Sequence, residues 1–224
     1  MRRSHSCKES NLKARLREIV AVAALGIAAA GAAQERLGAI PTERMTDAQR
    51  AAYAEFVRVR QGEPFGFWWG YMRVPEVLIP FLEIQTYVHD VIETEQSAIG
   101  EKLTHFAMMI VARHWTQQVI WDLHDEAALN SGLKPEVIDG LASGRRPPGM
   151  TEGEETVYDF CIELLRNHSV SDATYDRMVA QFGERGVAEV TLLQGEYTMM
   201  SMFMNVARTP LDPGTSPPLR PFPR

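Results

Sequence analysis

Cysteine is scarce in this chain. The 224 residues hold two, Cys7 and Cys161, which excludes a disulfide-stapled scaffold and any CxxC or Cys-rich zinc site. Long apolar runs are missing too: no stretch reaches the about 20 consecutive apolar residues of a spanning helix, so no membrane partner is expected. Basic charge is in deficit, with 23 Lys and Arg against 29 Asp and Glu, and this argues against a nucleic-acid partner, which needs a basic face. There is no GxGxxG, no P-loop, no HExxH and no GxSxG. No run of period-two alternation is long enough to mark a strand, which leaves all-α as the fold class. What the chain does have is apolar content, 45% of residues, enough at this length for one well-cored domain.

The first segment is set apart by its pattern. Arg2, Arg3, Lys8, Lys13, Arg15 and Arg17 precede Ile19 to Ala33, a run without charge built mostly of Ala, Val, Ile and Gly. Small residues at Ala30 and Ala32, or Gly31 and Ala33, suit a signal-peptidase cut near Gln34. Residues 1–33 therefore read as a signal peptide or an N-terminal extension. In the first case the protein is periplasmic or secreted, in the second cytoplasmic. Cleavage would remove six basic and two acidic side chains and take the net charge from −6 to −10. It would also leave Cys161 alone.

Residues 34–208 read as helices joined by short turns. Thr46-Asp47-Ala48-Gln49 and Thr151-Glu152-Gly153-Glu154 are capping-box patterns, predicting helices to about Arg60 and Asn167. An aromatic-rich loop from Gly62 leads to a helix from Pro75, bent or delayed by Pro80. Helices are expected at roughly 98–112 and 115–131, with Gly132 as a C-terminal cap. A short helix from Pro135, one from Ser171 to about Phe182 and a last one over about 187–206 complete the set. Residues 209–224 hold six prolines and are expected to form an irregular tail. The helix over 101–113 is apolar nearly all round, which predicts a central position. The methionines of the last helix, Met199, Met200, Met202 and Met204, read first as adaptable core filler.

His124 and His105 are the informative polar residues. Each sits within an apolar helix, and two readings are open: a core histidine satisfied by one hydrogen bond, or a general acid/base whose pKa burial lowers. Gln117, Ile120, Trp121, His124, Ala128 and Ser131 share one helical face by spacing. A metal held by the two histidines would need a carboxylate to join them, and no metal is expected.

The stretch Trp115-Thr116-Gln117-Gln118-Val119-Ile120-Trp121-Asp122-Leu123-His124, followed by small residues and Gly132-Leu133, resembles the carboxymuconolactone decarboxylase family. That family shares its helical fold with alkyl hydroperoxidase D. Further segments are similar in the same order: Pro64-Phe65-Gly66, Pro75-Glu76, Ile110-Val111-Ala112-Arg113, Val170 to Tyr175, Phe182-Gly183-Glu184 and Gly195-Glu196-Tyr197-Thr198-Met199. The resemblance covers about residues 40–214. It implies an alkyl hydroperoxidase D-like helical bundle that forms a homo-oligomer.

The resemblance places His124 on the family histidine. The two thiol positions of the hydroperoxidase branch fall on Ile120 and Gln117, so the thiol relay is missing. The glutamate that many decarboxylase-like members carry four residues before the histidine is again Ile120, and a further family glutamate falls on His105. The function implied is a cofactor-free lyase or isomerase acting on a small lactone or carboxylated acid. His124 would move the proton, with His105 or Gln117 as polar stabiliser, and Ile120, Trp121, Trp115 and Trp69 would line the substrate site. Two alternatives stand beside it: a peroxiredoxin-type hydroperoxidase, and a non-catalytic module that binds a small molecule or assembles.

Overall fold

The structure, a computed structural model, describes residues 35–94 and 96–221. The leader expectation concerns residues 1–33, which lie outside them. All regular structure among the described residues is helical. After a single 3₁₀ turn at Thr42–Arg44 come α1 (Asp47–Arg60), α2 (Trp68–Tyr71) and α3 (Pro75–Tyr87), which runs on as a π turn at Val88–Ile92. Then follow α4 (Glu101–Trp115), α5 (Gln118–Asn130), α6 (Pro135–Ala142), α7 (Glu152–Asn167) and α8 (Asp172–Ala207). Among these residues no helix is long and apolar enough to cross a membrane.

The helix ends follow from local chemistry. Both capping boxes form: the Thr46 and Thr151 hydroxyls accept from the N–H groups of Gln49 and Glu154, whose side chains reach back to the cap N–H. Pro75 opens α3, and Pro80 is carried within the same helix. The aromatic loop contains a turn of helix that its sequence does not announce. Trp68 and Tyr71 are buried in it, and Tyr71 stacks on Phe81 with ring centroids 4.3 Å apart. The two helices expected at either side of residues 183–186 follow one another within Asp172–Ala207, parted by a kink. The helical path is broken at Gly183 alone, whose φ of 68° and ψ of 176° are open to glycine and strained for other residues.

Helix α4 is the centre of the bundle. Every residue from Leu103 to Arg113 is buried, and α4 packs against α5, α7 and α8, with α6 touching one end. Apolar residues all round this helix therefore meet neighbours on several faces, as the pattern requires. The described part of the tail is irregular, as expected, and it is docked. Leu219 is buried. Its N–H donates to Gln118 Oε1 at 2.8 Å and its carbonyl accepts from Gln118 Nε2 at 2.8 Å. The Arg113 guanidinium donates to the Arg220 carbonyl at 2.8 Å. An apolar side chain among prolines thus straps the tail onto α4 and α5 through burial and paired backbone hydrogen bonds.

Candidate functional site

A tight link makes the site possible. Thr116 takes the left-handed conformation (φ 50°), and Gln117 starts α5 by accepting from Val119 N–H at 2.6 Å and Ile120 N–H at 3.4 Å. The chain therefore reverses between α4 and α5, and residues at similar distances from the reversal face each other. His105 and His124 lie roughly 12–17 Å along their helices from it, and their Nδ1 atoms are 3.2 Å apart. The Nε2 of His124 lies 3.2 Å from the Tyr197 hydroxyl of α8. That hydroxyl donates to Glu93 Oε1 at 3.2 Å. Glu93 follows directly on the π turn, the kind of local widening that is common at functional sites.

The loop carrying the acids is fixed by Glu189, a buried residue of α8. Its carboxylate accepts from Ser97 Oγ and Ala98 N–H, both at 2.8 Å, and from Arg185 Nε at 2.8 Å. Thr104 adds a bond to the Ile92 carbonyl at 3.0 Å. These ties hold the segment from the π turn to the start of α4. At the far end of the histidine pair, His105 Nε2 is 3.9 Å from Glu101 Oε1, beyond hydrogen-bond reach.

Burial sets the protonation of the pair. It pushes His124 down from 6.5 to about 3, with His105 as the lesser cause. Burial lowers His105 as well, opposed by the fields of Glu93 and Glu101. Both rings are therefore neutral at neutral pH. The network then assigns the protons. Tyr197 has one hydrogen and gives it to Glu93. The contact to His124 Nε2 must accordingly be an N–H donated by the ring. The bare Nδ1 of His124 accepts, so His105 donates from Nδ1. Donation runs in one direction, His105 to His124 to Tyr197 to Glu93, and leaves a lone pair on His105 Nε2.

A further buried acid stands beside this chain. Glu196 accepts from Gln85 Nε2 through Oε1, and its Oε2 is buried without a hydrogen-bond partner. Burial raises its pKa to about 7, with the Glu93 field adding to the shift and the Gln85 bond opposing it.

The other residues picked from the sequence make contacts of their own. Gln117 spends its side chain on the α5 cap and on Asn205 Oδ1, to which it donates at 3.0 Å. Ile120 and Trp121 are packed in the core. Trp115 ends α4, and its carbonyl accepts from Asn205 Nδ2 at 3.0 Å. Trp69 faces Tyr53 with ring centroids 6.5 Å apart. None of these five makes a hydrogen bond or ring contact to the histidine pair among the described residues. Glu93, Glu101 and Tyr197 are the residues that sequence reasoning missed as site members. Tyr197 stands in a segment singled out by resemblance, and Glu101 is one helical turn before His105, so a signal existed for both.

Comparison with protein-family models, with curated proteins and with solved structures finds no match to this chain. Among the described residues no group of three or more His, Cys, Asp or Glu side chains is placed to hold a metal ion. Two neutral imidazoles in series can take a proton at one end and release one at the other, which is the work of general acid/base catalysis.

Proposed function

We propose that this protein is a cofactor-free lyase or isomerase for a small lactone or carboxylated acid, of the carboxymuconolactone decarboxylase kind, with His124 and His105 moving the proton as a pair. The observation that carries this reading is the one-way hydrogen-bonded chain from His105 through His124 and Tyr197 to Glu93. Such a reaction builds negative charge next to a carbonyl and needs a proton carried to or from carbon. A neutral imidazole pair anchored at a carboxylate is suited to that step, because the imidazolium formed in transit has an acidic group at either side.

The test is proton NMR in deuterated water with a panel of lactones and keto acids. Deuterium appearing at carbon supports the reading. Ligand binding without exchange contradicts it and favours a non-catalytic binding module.

A thiol mechanism is disfavoured by Cys161. The thiol is fully buried, burial pushes its pKa up, and Gln194 Nε2 donates to its sulfur at 3.2 Å. Thiol redox chemistry needs an accessible thiolate. Cys161→Ser is therefore expected to leave any activity within a few-fold of the parent. Loss of a measurable peroxide reduction in that variant would reinstate the hydroperoxidase.

The homo-oligomer belongs to the same proposal. Its support is the exposure of Leu123 and Leu129 on α5 and of Met202 and Val206 on α8, since a second copy would remove such side chains from water. Light scattering is expected to give a mass at least twice that of the 25.2 kDa chain at micromolar concentration. A monomer throughout that range contradicts the expectation.

A further inference from the structure

We infer that the substrate of this site is an uncharged carbonyl compound, a lactone or an enolisable ketone, and that Nε2 of His105 is the atom that meets its acidic C–H; the inference rests on the proton-transfer reading above. The reaction is then an allylic proton shift, and a carboxylated acid is excluded from the substrate class.

The first ground is the hydrogen-bond count. Among the described residues, three of the four ring nitrogens in the pair are engaged: both of His124 and Nδ1 of His105. For His124 to act directly on a substrate it would have to abandon His105 or Tyr197. His105 Nε2 has no such obligation among the described residues, where Glu101 Oε1 stands 3.9 Å away, beyond hydrogen-bond reach. His105 is only 6% exposed, so this nitrogen is largely shielded from bulk water. His124 acts through His105. By accepting the Nδ1 proton it fixes the tautomer that leaves Nε2 bare, which makes it a positioning residue.

The second ground is charge. Among the described residues, the charged groups whose fields reach His105 are Glu93 and Glu101, both acidic. Lys102, beside Glu101 in sequence, is bound to Glu154 at 2.7 Å. Arg60, whose field reaches Tyr197, lies over the Trp68 ring at 5.8 Å. A carboxylate on the substrate would come close to Glu101 with no described cation to offset it. Like charges brought together beside a buried ring are screened less than in water and repel. An uncharged lactone meets no such penalty.

The step balances without a co-reactant. The C–H bond beside the carbonyl breaks, its electron pair passes into the enolate, and the proton forms an N–H bond at His105 Nε2. Return of that proton to the far carbon of the allylic system gives the isomer and restores the neutral ring. Glu101, with its side chain 43% exposed and adjacent to Nε2, offers a path for solvent deuterium to replace the proton.

The experiment uses the whole chain in deuterated water at neutral pH and two probes. One is α-angelica lactone, which is uncharged. The other is the same lactone with a carboxymethyl group in place of its methyl. Exchange followed by proton NMR is expected to be at least tenfold faster for the uncharged probe. Glu101→Gln, at a partly exposed position, should narrow that preference several-fold, because only the carboxylated probe is relieved of repulsion while loss of the exchange path falls on both, an effect that a structural role would not produce. His105→Gln should remove the catalysed exchange of both. Equal or faster exchange of the carboxylated probe overturns the substrate class while leaving proton transfer standing. Parent-like exchange in His105→Gln overturns the assignment of Nε2. No exchange of either probe by folded protein overturns the inference and the proposed function together.

Discussion

His124→Ala is expected to lower turnover by roughly 10²-fold or more while the helical signal of the protein stays intact. The alanine removes the acceptor for His105 Nδ1–H and the donor to Tyr197. His105 is then free to exchange tautomers or turn its ring, and Nε2 no longer presents a fixed lone pair. A buried N–H left without a partner also costs stability, about 1–3 kcal/mol, so rates have to be expressed per folded molecule. Glutamine at the same position carries an amide oxygen that can accept and an amide N–H that can donate. His124→Gln is therefore expected to recover part of the lost rate. Steady-state kinetics on the two variants, with circular dichroism to normalise them, decides the matter. A His124→Ala protein that is destabilised yet fully active per folded molecule would show that His124 is an ordinary core residue.

Acid should destabilise the fold well before its exposed carboxylates are titrated. In the unfolded chain the histidines take up protons near 6.5. In the fold burial keeps His124 neutral down to about 3 and holds His105 and His114 below their ordinary value. Between those limits the unfolded state binds more protons, so stability falls as pH falls through 6.5 toward 3. The His124 contribution alone, taken over the whole span, is on the order of 5 kcal/mol. Glu154 and Asp159, lowered chiefly by their bonds to Lys102, Arg146 and Arg177 against the opposing effect of burial, add to the loss at the acid end. Glu196 acts in the other sense. Its pKa is raised from 4.5 to about 7, so its contribution is complete below 4.5 and is lost as pH rises through 7. It blunts the slope between 4.5 and 7 without reversing it, because three histidines oppose one carboxyl. Urea melts at intervals from pH 7.5 to 4 should show a falling midpoint, and His124→Gln should flatten the curve. A midpoint that rises on acidification from 6.5 to 4.5 would contradict the buried neutral pair.

The parts of the fold that sequence makes legible are those set by local chemistry. Thr46 and Thr151 announce their helices because a capping box satisfies two backbone donors within four residues. Gly183 marks its break because few other residues tolerate that backbone conformation. The central place of α4 is written in an apolar surface with no polar face. The short helix at Trp68–Tyr71 is not announced, since its stability comes from aromatic packing onto Phe81 and Phe203, residues distant in sequence. The docked tail is equally a tertiary effect, carried by one leucine among prolines.

The site divides along the same line. That His105 and His124 stand on apolar helical surroundings can be read from spacing. That Tyr197 and Glu93, 104 residues apart, complete the chain cannot. Glu93 owes its position to a π turn, which no residue pattern at 88–92 signals. Gln117 shows the converse. Spacing places it on the His124 face, yet its side chain turns to the backbone at the start of α5, because a helix needs its first donors satisfied and no Ser, Thr, Asn or Asp stands there to do it.

The most direct test of the account is nitrogen-15 NMR of the two rings at pH 7, where one-bond and long-range proton correlations report tautomer and charge separately. The account predicts two neutral imidazoles, His105 carrying its proton on Nδ1 and His124 on Nε2. An imidazolium on either ring, or a His105 proton on Nε2, would contradict it.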